Sequence, residues 1–233
     1  MGRKILFISI GFNLLFLIIT GLSFVKFDKV DAGAKKSNAA KRTGFHYYER
    51  TTLFNELPIP PDSIVFLGDS LTFRTEWSEL FPRKNVINRG IGSDTTEGVL
   101  DRLDSVIAAQ PRKIFLLIGV NDLKIRSVSA TIKSYSVIID RIQTGSPNTE
   151  IFIQSLLPVN NSKYGNILTN DKIKKMNMKL RSLANSSGVH FIDLYSTFAK
   201  DDQLPEEYTI DGIHLTGKGY ILWRESIKEY VGS

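Results

Sequence analysis

The stretch Ser63-Ile64-Val65-Phe66-Leu67-Gly68-Asp69-Ser70-Leu71 decides how the chain is read. Its first half is a short β-rich run, predicted as a strand over Ser63–Leu67, and it stops at a glycine-containing turn. Pro58, Pro60 and Pro61 punctuate the approach to it. Working outward, similar runs occur at Asn85–Asn88, Lys113–Ile118, Glu150–Gln154 and Val189–Leu194. Between them lie segments of helical length and pattern, Thr95–Ala109, Ser129–Thr144 and Asp171–Ser186, and a last one, Thr216–Val231, follows. Strands alternating with helices predict a parallel sheet covered by helices on both faces.

The polar motifs sit where such a sheet would use them. Gly68-Asp69-Ser70, Arg89-Gly90-Ile91-Gly92-Ser93-Asp94 and Gly119-Val120-Asn121-Asp122 each follow a predicted strand directly. Ligands of open parallel sheets bind outside the carboxyl ends of the strands, so these loops are expected to converge. A fourth motif, Asp211-Gly212-Ile213-His214, precedes the last helix. A serine hydroxyl is a poor nucleophile at neutral pH and needs a neutral imidazole to take its proton. The imidazole needs a partner on its other nitrogen, and a carboxylate three residues upstream can reach it. Ser70, His214 and Asp211 therefore form a candidate catalytic set. Asp69, Asp94 and Asp122 are expected to tie down backbone N–H groups in their loops.

At these residues the chain resembles the SGNH, or GDSL, hydrolase family of esterases and lipases. The resemblance runs from about Ser63 to Val231, with the motifs in the family's order. Asn88-Arg89-Gly90-Ile91-Gly92-Ser93-Asp94-Thr95-Thr96 is most similar to members like platelet-activating-factor acetylhydrolase and bacterial carbohydrate acetylesterases. It implies a flavodoxin-like, three-layer α/β/α fold with five parallel strands, and no metal or organic cofactor. It implies Ser70 as nucleophile, His214 as general base and then acid, and Asp211 as the orienting group. The implied oxyanion hole takes the Asn121 side-chain amide and the Ser70 backbone N–H. The third implied donor is the backbone N–H of a glycine immediately before the aspartate of the second block, and here that position is Ser93. A backbone N–H survives any substitution except proline, so Ser93 can donate if its backbone reaches the required geometry. Loss of one donor would cost about 2.7–4 kcal/mol of transition-state stabilisation.

The N-terminus reads differently from the rest of the 233 residues. After a short flank, residues 1–4, the run Ile5–Val25 carries no charge. At about 1.5 Å per residue it would span about 32 Å, enough for a transmembrane helix. A cleaved signal peptide is the competing reading, with a shorter apolar region as its usual mark. Residues 26–43 read as a basic, flexible linker and 44–233 as the esterase domain. Residues 1–43 hold eight Lys/Arg against two acids, leaving 22 of each sign beyond them. The domain itself is formally neutral, which argues against nucleic-acid binding. The expected location is membrane-anchored, with the domain outside the cytoplasm. No cysteine is present, which excludes disulfides and thiol catalysis.

The expected function is serine ester hydrolysis through an acyl-enzyme, removing a short acyl group from a carbohydrate or glycoconjugate. A lysophospholipid or acetylated lipid is the alternative substrate, and a catalytically silent glycan-binding module the alternative role. Substrate selection is expected in Thr72–Phe81 and Leu156–Asn170. A nucleotide-binding domain would need a phosphate-cradling glycine loop where this chain places Asp69. His46 and His190 have no ligand cluster around them in sequence, so no metal site is expected.

Overall fold

The computed structural model describes residues 31–232. The uncharged run Ile5–Val25, expected to cross a membrane, and the flank before it lie outside the described residues. Among the described residues no helix is long and apolar enough to cross a membrane. Residues 43–233 form a compact unit, distinct from residues 1–42, and this unit carries the sheet.

Helix α1, Asp31–Glu56, takes in part of the stretch read as a flexible linker. Its early sequence is rich in alanine and lysine, both good helix formers. It bends at Gly44, whose φ of 77° and ψ of 178° no helix accommodates. The sheet is five-stranded and wholly parallel: β1 Ile64–Gly68, β2 Val86–Gly90, β3 Lys113–Leu117, β4 Glu150–Gln154 and β5 His190–Ile192. Its order is β2-β1-β3-β4-β5, the flavodoxin-like arrangement with its switch point between β1 and β3.

Alternation along each strand sends successive side chains to opposite faces. Val65, Leu67, Ile114, Leu116, Ile151 and Ile153 enter one core, and Ile64, Phe66, Phe115, Leu117 and Phe152 enter the other. Register aligns Phe66 with Phe115, and Phe115 with Phe152. The three rings stack at 4.9 and 4.7 Å, and His190 continues the stack on Phe152 at 4.5 Å. His190 is thus an exposed residue at the sheet edge, one ring face against Phe152.

Helices follow in chain order: α2 Ser70–Phe73, α3 Trp77–Leu80, α4 Thr96–Asp101, α5 Leu103–Ala108, α6 Asp122–Ile125, α7 Val128–Gly145, α8 Asn161–Tyr164, α9 Asn170–Ser187, α10 Leu194–Phe198 and α11 Gly217–Gly232. The first core is covered by α4, α5, α7 and α9, through residues such as Val99, Val106, Ile138 and Ile173. The second is covered by α2, α3, α10 and α11, through Leu71, Trp77, Phe198 and Trp223. This is the expected three-layer α/β/α architecture.

Two expectations change. The single helix predicted over Thr95–Ala109 is two helices, α4 and α5, broken at Arg102 (φ −116°, ψ 8°). The Arg102 guanidinium turns inward to Asp94 Oδ2, at 2.8 and 3.0 Å, and to the Gly68 carbonyl at 3.2 Å. Thr72–Phe81, read as a substrate loop, is partly core: Thr72, Thr75, Trp77 and Phe81 are buried. Trp77 stacks on Phe66 at 3.8 Å and donates to the Thr72 carbonyl at 2.9 Å.

Candidate active site

Because β1 lies between β2 and β3, its C-terminal turn is flanked by the loops that follow both neighbours. Ser70 opens α2 at that turn. Asp69 caps the helix by accepting from the Leu71 N–H at 3.0 Å. The turn demands glycine at position 68. A Cβ there would lie 2.3 Å from both the Leu117 carbonyl oxygen and the Thr72 hydroxyl. The absent side chain lets α2 settle directly onto the sheet, and so fixes the height of Ser70 above it.

The imidazole arrives from the loop before α11. Ser70 Oγ lies 3.0 Å from His214 Nε2, and His214 Nδ1 lies 2.6 Å from Asp211 Oδ2. Asp211 divides its oxygens: Oδ1 accepts the backbone N–H groups of His214 (2.8 Å) and Ile213 (3.1 Å), and Oδ2 takes the ring. Burial acts to raise the Asp211 pKa, but the His214 side chain and these two N–H groups outweigh it and bring it to about 2. An ionised Asp211 accepts only, so Nδ1 carries the ring proton and Nε2 is left as acceptor for the Ser70 hydroxyl. Gly212 makes the turn possible with a φ of 93°. A Cβ at Gly212 would lie 2.7 Å from Asn160 O and Tyr164 N. The segment after β4 therefore packs hard against the histidine turn.

The other two expected site residues lie on the flanking loops. Asn121 Nδ2 donates to the Asp94 carbonyl at 2.9 Å, tying the loop after β3 to the loop after β2. Ser93 is exposed and takes the left-handed conformation, with φ 61°. This is a backbone conformation that glycine adopts at no steric cost, and here a serine adopts it. The carboxylates behave as loop ties. Asp94 accepts the Thr95 N–H at 2.9 Å besides holding Arg102, and Asp122 accepts the Thr96 N–H (2.9 Å) and hydroxyl (2.6 Å).

Burial raises the pKa of both Asp94 and Asp122, against the charges and hydrogen bonds of their partners. Among the described residues, no group of three or more His, Asp or Glu side chains is placed to hold a metal ion.

Sequence reasoning missed two neighbours of the site. The first lies on the part of α1 after Gly44, which carries no motif. Yet Tyr47 is buried and donates to the Gly98 carbonyl at 2.7 Å. His46 packs edge-on to Phe73 at 5.2 Å, and a Cβ on Gly92 would lie 3.3 Å from its ring. The seven-residue spacing of Tyr47 and Phe54, both buried, is the signal for an amphipathic helix face. The second neighbour is Lys124, whose Nζ donates to Asn121 Oδ1 at 3.0 Å. Its i, i+3 spacing from Asn121 at the start of a helix was the available sign.

A hydroxyl, an imidazole and a carboxylate in one hydrogen-bonded chain, at the carboxyl edge of a parallel sheet, define a serine-hydrolase type of site. The model of the GDSL-like Lipase/Acylhydrolase family matches residues 66–222. Platelet-activating factor acetylhydrolase IB subunit alpha2 of Homo sapiens is 31% identical over 168 residues, covering 69% of this chain and 71% of that one. A candidate platelet activating factor structure from Streptococcus pneumonia superposes with a TM-score of 0.74 at 32% identity, over 84% of this chain and 95% of that one. An acetyl-xylooligosaccharide esterase from Geobacillus Stearmophilus shares the fold, with a TM-score of 0.61 at 16% identity over 76% and 97% of the two chains. The chain belongs to the GDSL-like lipase/acylhydrolase family and is an ester-hydrolysing enzyme.

Proposed function

We propose that the enzyme cleaves short-chain acyl esters, acetyl above all, from a carbohydrate or glycoconjugate, with Ser70 as nucleophile. The observation that carries this reading is the chain from Ser70 Oγ through His214 to Asp211, at 3.0 and 2.6 Å. In the first half-reaction Oγ attacks the ester carbonyl carbon as His214 Nε2 takes the hydroxyl proton. Asp211 stabilises the imidazolium. The tetrahedral intermediate carries its charge on the former carbonyl oxygen. The backbone N–H groups of Ser70 and Ser93 and the amide of Asn121 are the donors assigned to it. Collapse breaks the bond to the alkoxy oxygen, which leaves with the proton from His214. Water, deprotonated by the same nitrogen, then attacks the acyl-enzyme and releases the acid and the free serine.

The acetyl preference is supported by the names of relatives: an acetylhydrolase at 31% identity and, on the same fold, an acetyl-xylooligosaccharide esterase. The first of these also supports a second reading, an acetylated lipid. The deciding experiment measures kcat/KM on acetylated xylo-oligosaccharides and on an acetylated ether phospholipid, with wild type and Ser70→Ala, in the presence of EDTA. The expected result is faster turnover of the sugar ester, undiminished by EDTA, and a loss of about 10³-fold or more in Ser70→Ala. Faster turnover of the lipid would overturn the substrate assignment, and an active Ser70→Ala would overturn the mechanism.

A further inference from the structure

Asn121 is the one oxyanion donor that is a side chain, so its contribution depends on which end of the amide faces the substrate. A primary amide has two N–H groups and one carbonyl oxygen. One N–H is spent on the Asp94 carbonyl at 2.9 Å. The amide oxygen is taken by the Lys124 ammonium at 3.0 Å. The remaining N–H is the group left for a ligand. Turning the amide over would set its oxygen against the Asp94 carbonyl and its N–H groups against the ammonium, two repulsive pairings. Asp94 and Lys124 therefore exclude the wrong orientation from opposite sides.

Lys124 is exposed, and its ammonium makes a second contact. It lies on α6, three residues after Asn121, with its Nζ 5.4 Å from the centre of the Tyr164 ring. Tyr164 ends α8, whose backbone abuts Gly212 between Asp211 and Ile213. One lysine thus connects the amide beside β3 with the segment that supports the histidine turn. The contacts of the ammonium are with neutral groups, an amide oxygen and an aromatic face. A charged donor on the amide oxygen also draws electron density from the amide nitrogen, which strengthens the N–H as a donor. That gain grows as negative charge develops on the carbonyl oxygen.

We propose that Lys124 is a positioning residue for ester hydrolysis, holding the Asn121 amide with an N–H toward the developing oxyanion and polarising that N–H. The inference rests on the oxyanion role proposed for Asn121. It predicts an effect on kcat, because the bond concerned is strongest in the transition state.

The test is a double-mutant cycle in the full chain, with p-nitrophenyl acetate as substrate and thermal unfolding as a check on folding. Lys124→Met is expected to lower kcat about 10–100-fold with KM within about twofold, less than the 10²–10³-fold expected for Asn121→Ala. Lys124→Arg, which restores a cationic donor, should recover most of the loss. In the Asn121→Ala background, Lys124→Met should change kcat by no more than about twofold, since the group it positions is gone. A Lys124→Met enzyme with full kcat, beside a slow Asn121→Ala enzyme, overturns the role of Lys124 and leaves the oxyanion reading standing. An equal loss in both backgrounds also overturns it, because the lysine would then act elsewhere. An Asn121→Ala enzyme with full kcat overturns the oxyanion reading, and this inference with it.

Discussion

Asp69, between the strand-ending Gly68 and the nucleophile candidate Ser70, should make the protein less stable as pH rises from about 4 to about 7. It is wholly buried. Its Oδ1 accepts the Leu71 N–H, and its Oδ2 is buried with no hydrogen-bond partner. Burial pushes its pKa up to about 7 from an ordinary 3.8. The Leu71 N–H opposes the rise, Asp94 and Asp122 add to it, and Lys124 offsets part of it. With the folded pKa above the unfolded one, the folded state keeps a proton the unfolded chain gives up between these values. The associated stability is fully present below about pH 4 and is gone above about pH 7. A rise of roughly three units at 1.36 kcal/mol each amounts to about 4 kcal/mol. Asp69→Asn keeps the Oδ1 acceptor and cannot titrate. Urea unfolding of both proteins from pH 4 to pH 8 should give a wild-type minus variant stability that falls by about 4 kcal/mol across the range. Subtraction removes the parallel contributions of Asp94 and Asp122, which the variant retains. A difference constant to within about 1 kcal/mol would show that Asp69 is ionised in the fold throughout, and would refute the reasoning.

Ser93→Gly should stabilise the protein by about 0.5–1 kcal/mol, the relief of left-handed strain less the added freedom of the unfolded chain, with kcat unchanged because the N–H remains. Urea unfolding and steady-state kinetics check it, and a large fall in kcat would show that the hydroxyl itself takes part. Asp211→Asn should lower kcat by about 10³–10⁴-fold, because an amide facing Nδ1 no longer enforces the tautomer that leaves Nε2 free. Since the Asp211 pKa is lowered, to about 2, its contribution to stability is present above pH 4 and lost as pH falls toward 2, so wild type and variant should converge in acid unfolding over that window.

What could be read from the sequence follows from which interactions are local. The strand runs were legible because each is short, apolar and followed by a turn, and Glu150–Gln154 falls on the predicted residues. The ends of β5 were not. Val189–Leu194 was read as strand, but its pairing with β4 stops at Ile192, and Asp193 caps α10 by accepting the Ser196 N–H at 3.1 Å. The break at Arg102 was hidden for a different reason. Its cause is an ion pair with Asp94 and a bond to Gly68, 34 residues away, which no window of periodicity contains. Trp77 looked like a loop aromatic because its neighbours are polar. Its burial comes from Phe66 and Trp223, the latter at 5.0 Å from the far end of the chain.

The site divides along the same line. Asp211 and His214 are legible as a pair because their contact closes within three residues. Ser70 is legible because a glycine turn after a strand presents it at the sheet edge. The strand order, which places this turn between the loops of β2 and β3, is a property of the sheet and not of any motif. At Ser93 the residue type differs from the glycine of the resemblance, and φ is 61°, held in place by neighbours that are themselves tied. Ile91 donates to the Gly68 carbonyl, Asp94 holds Arg102, and the Asp94 carbonyl accepts from Asn121. A loop fixed on both sides of one residue can impose on a serine a conformation costing about 1–2 kcal/mol. In the oxyanion role proposed for Ser93 the donor is the backbone N–H, which leaves the side chain at that position open to change.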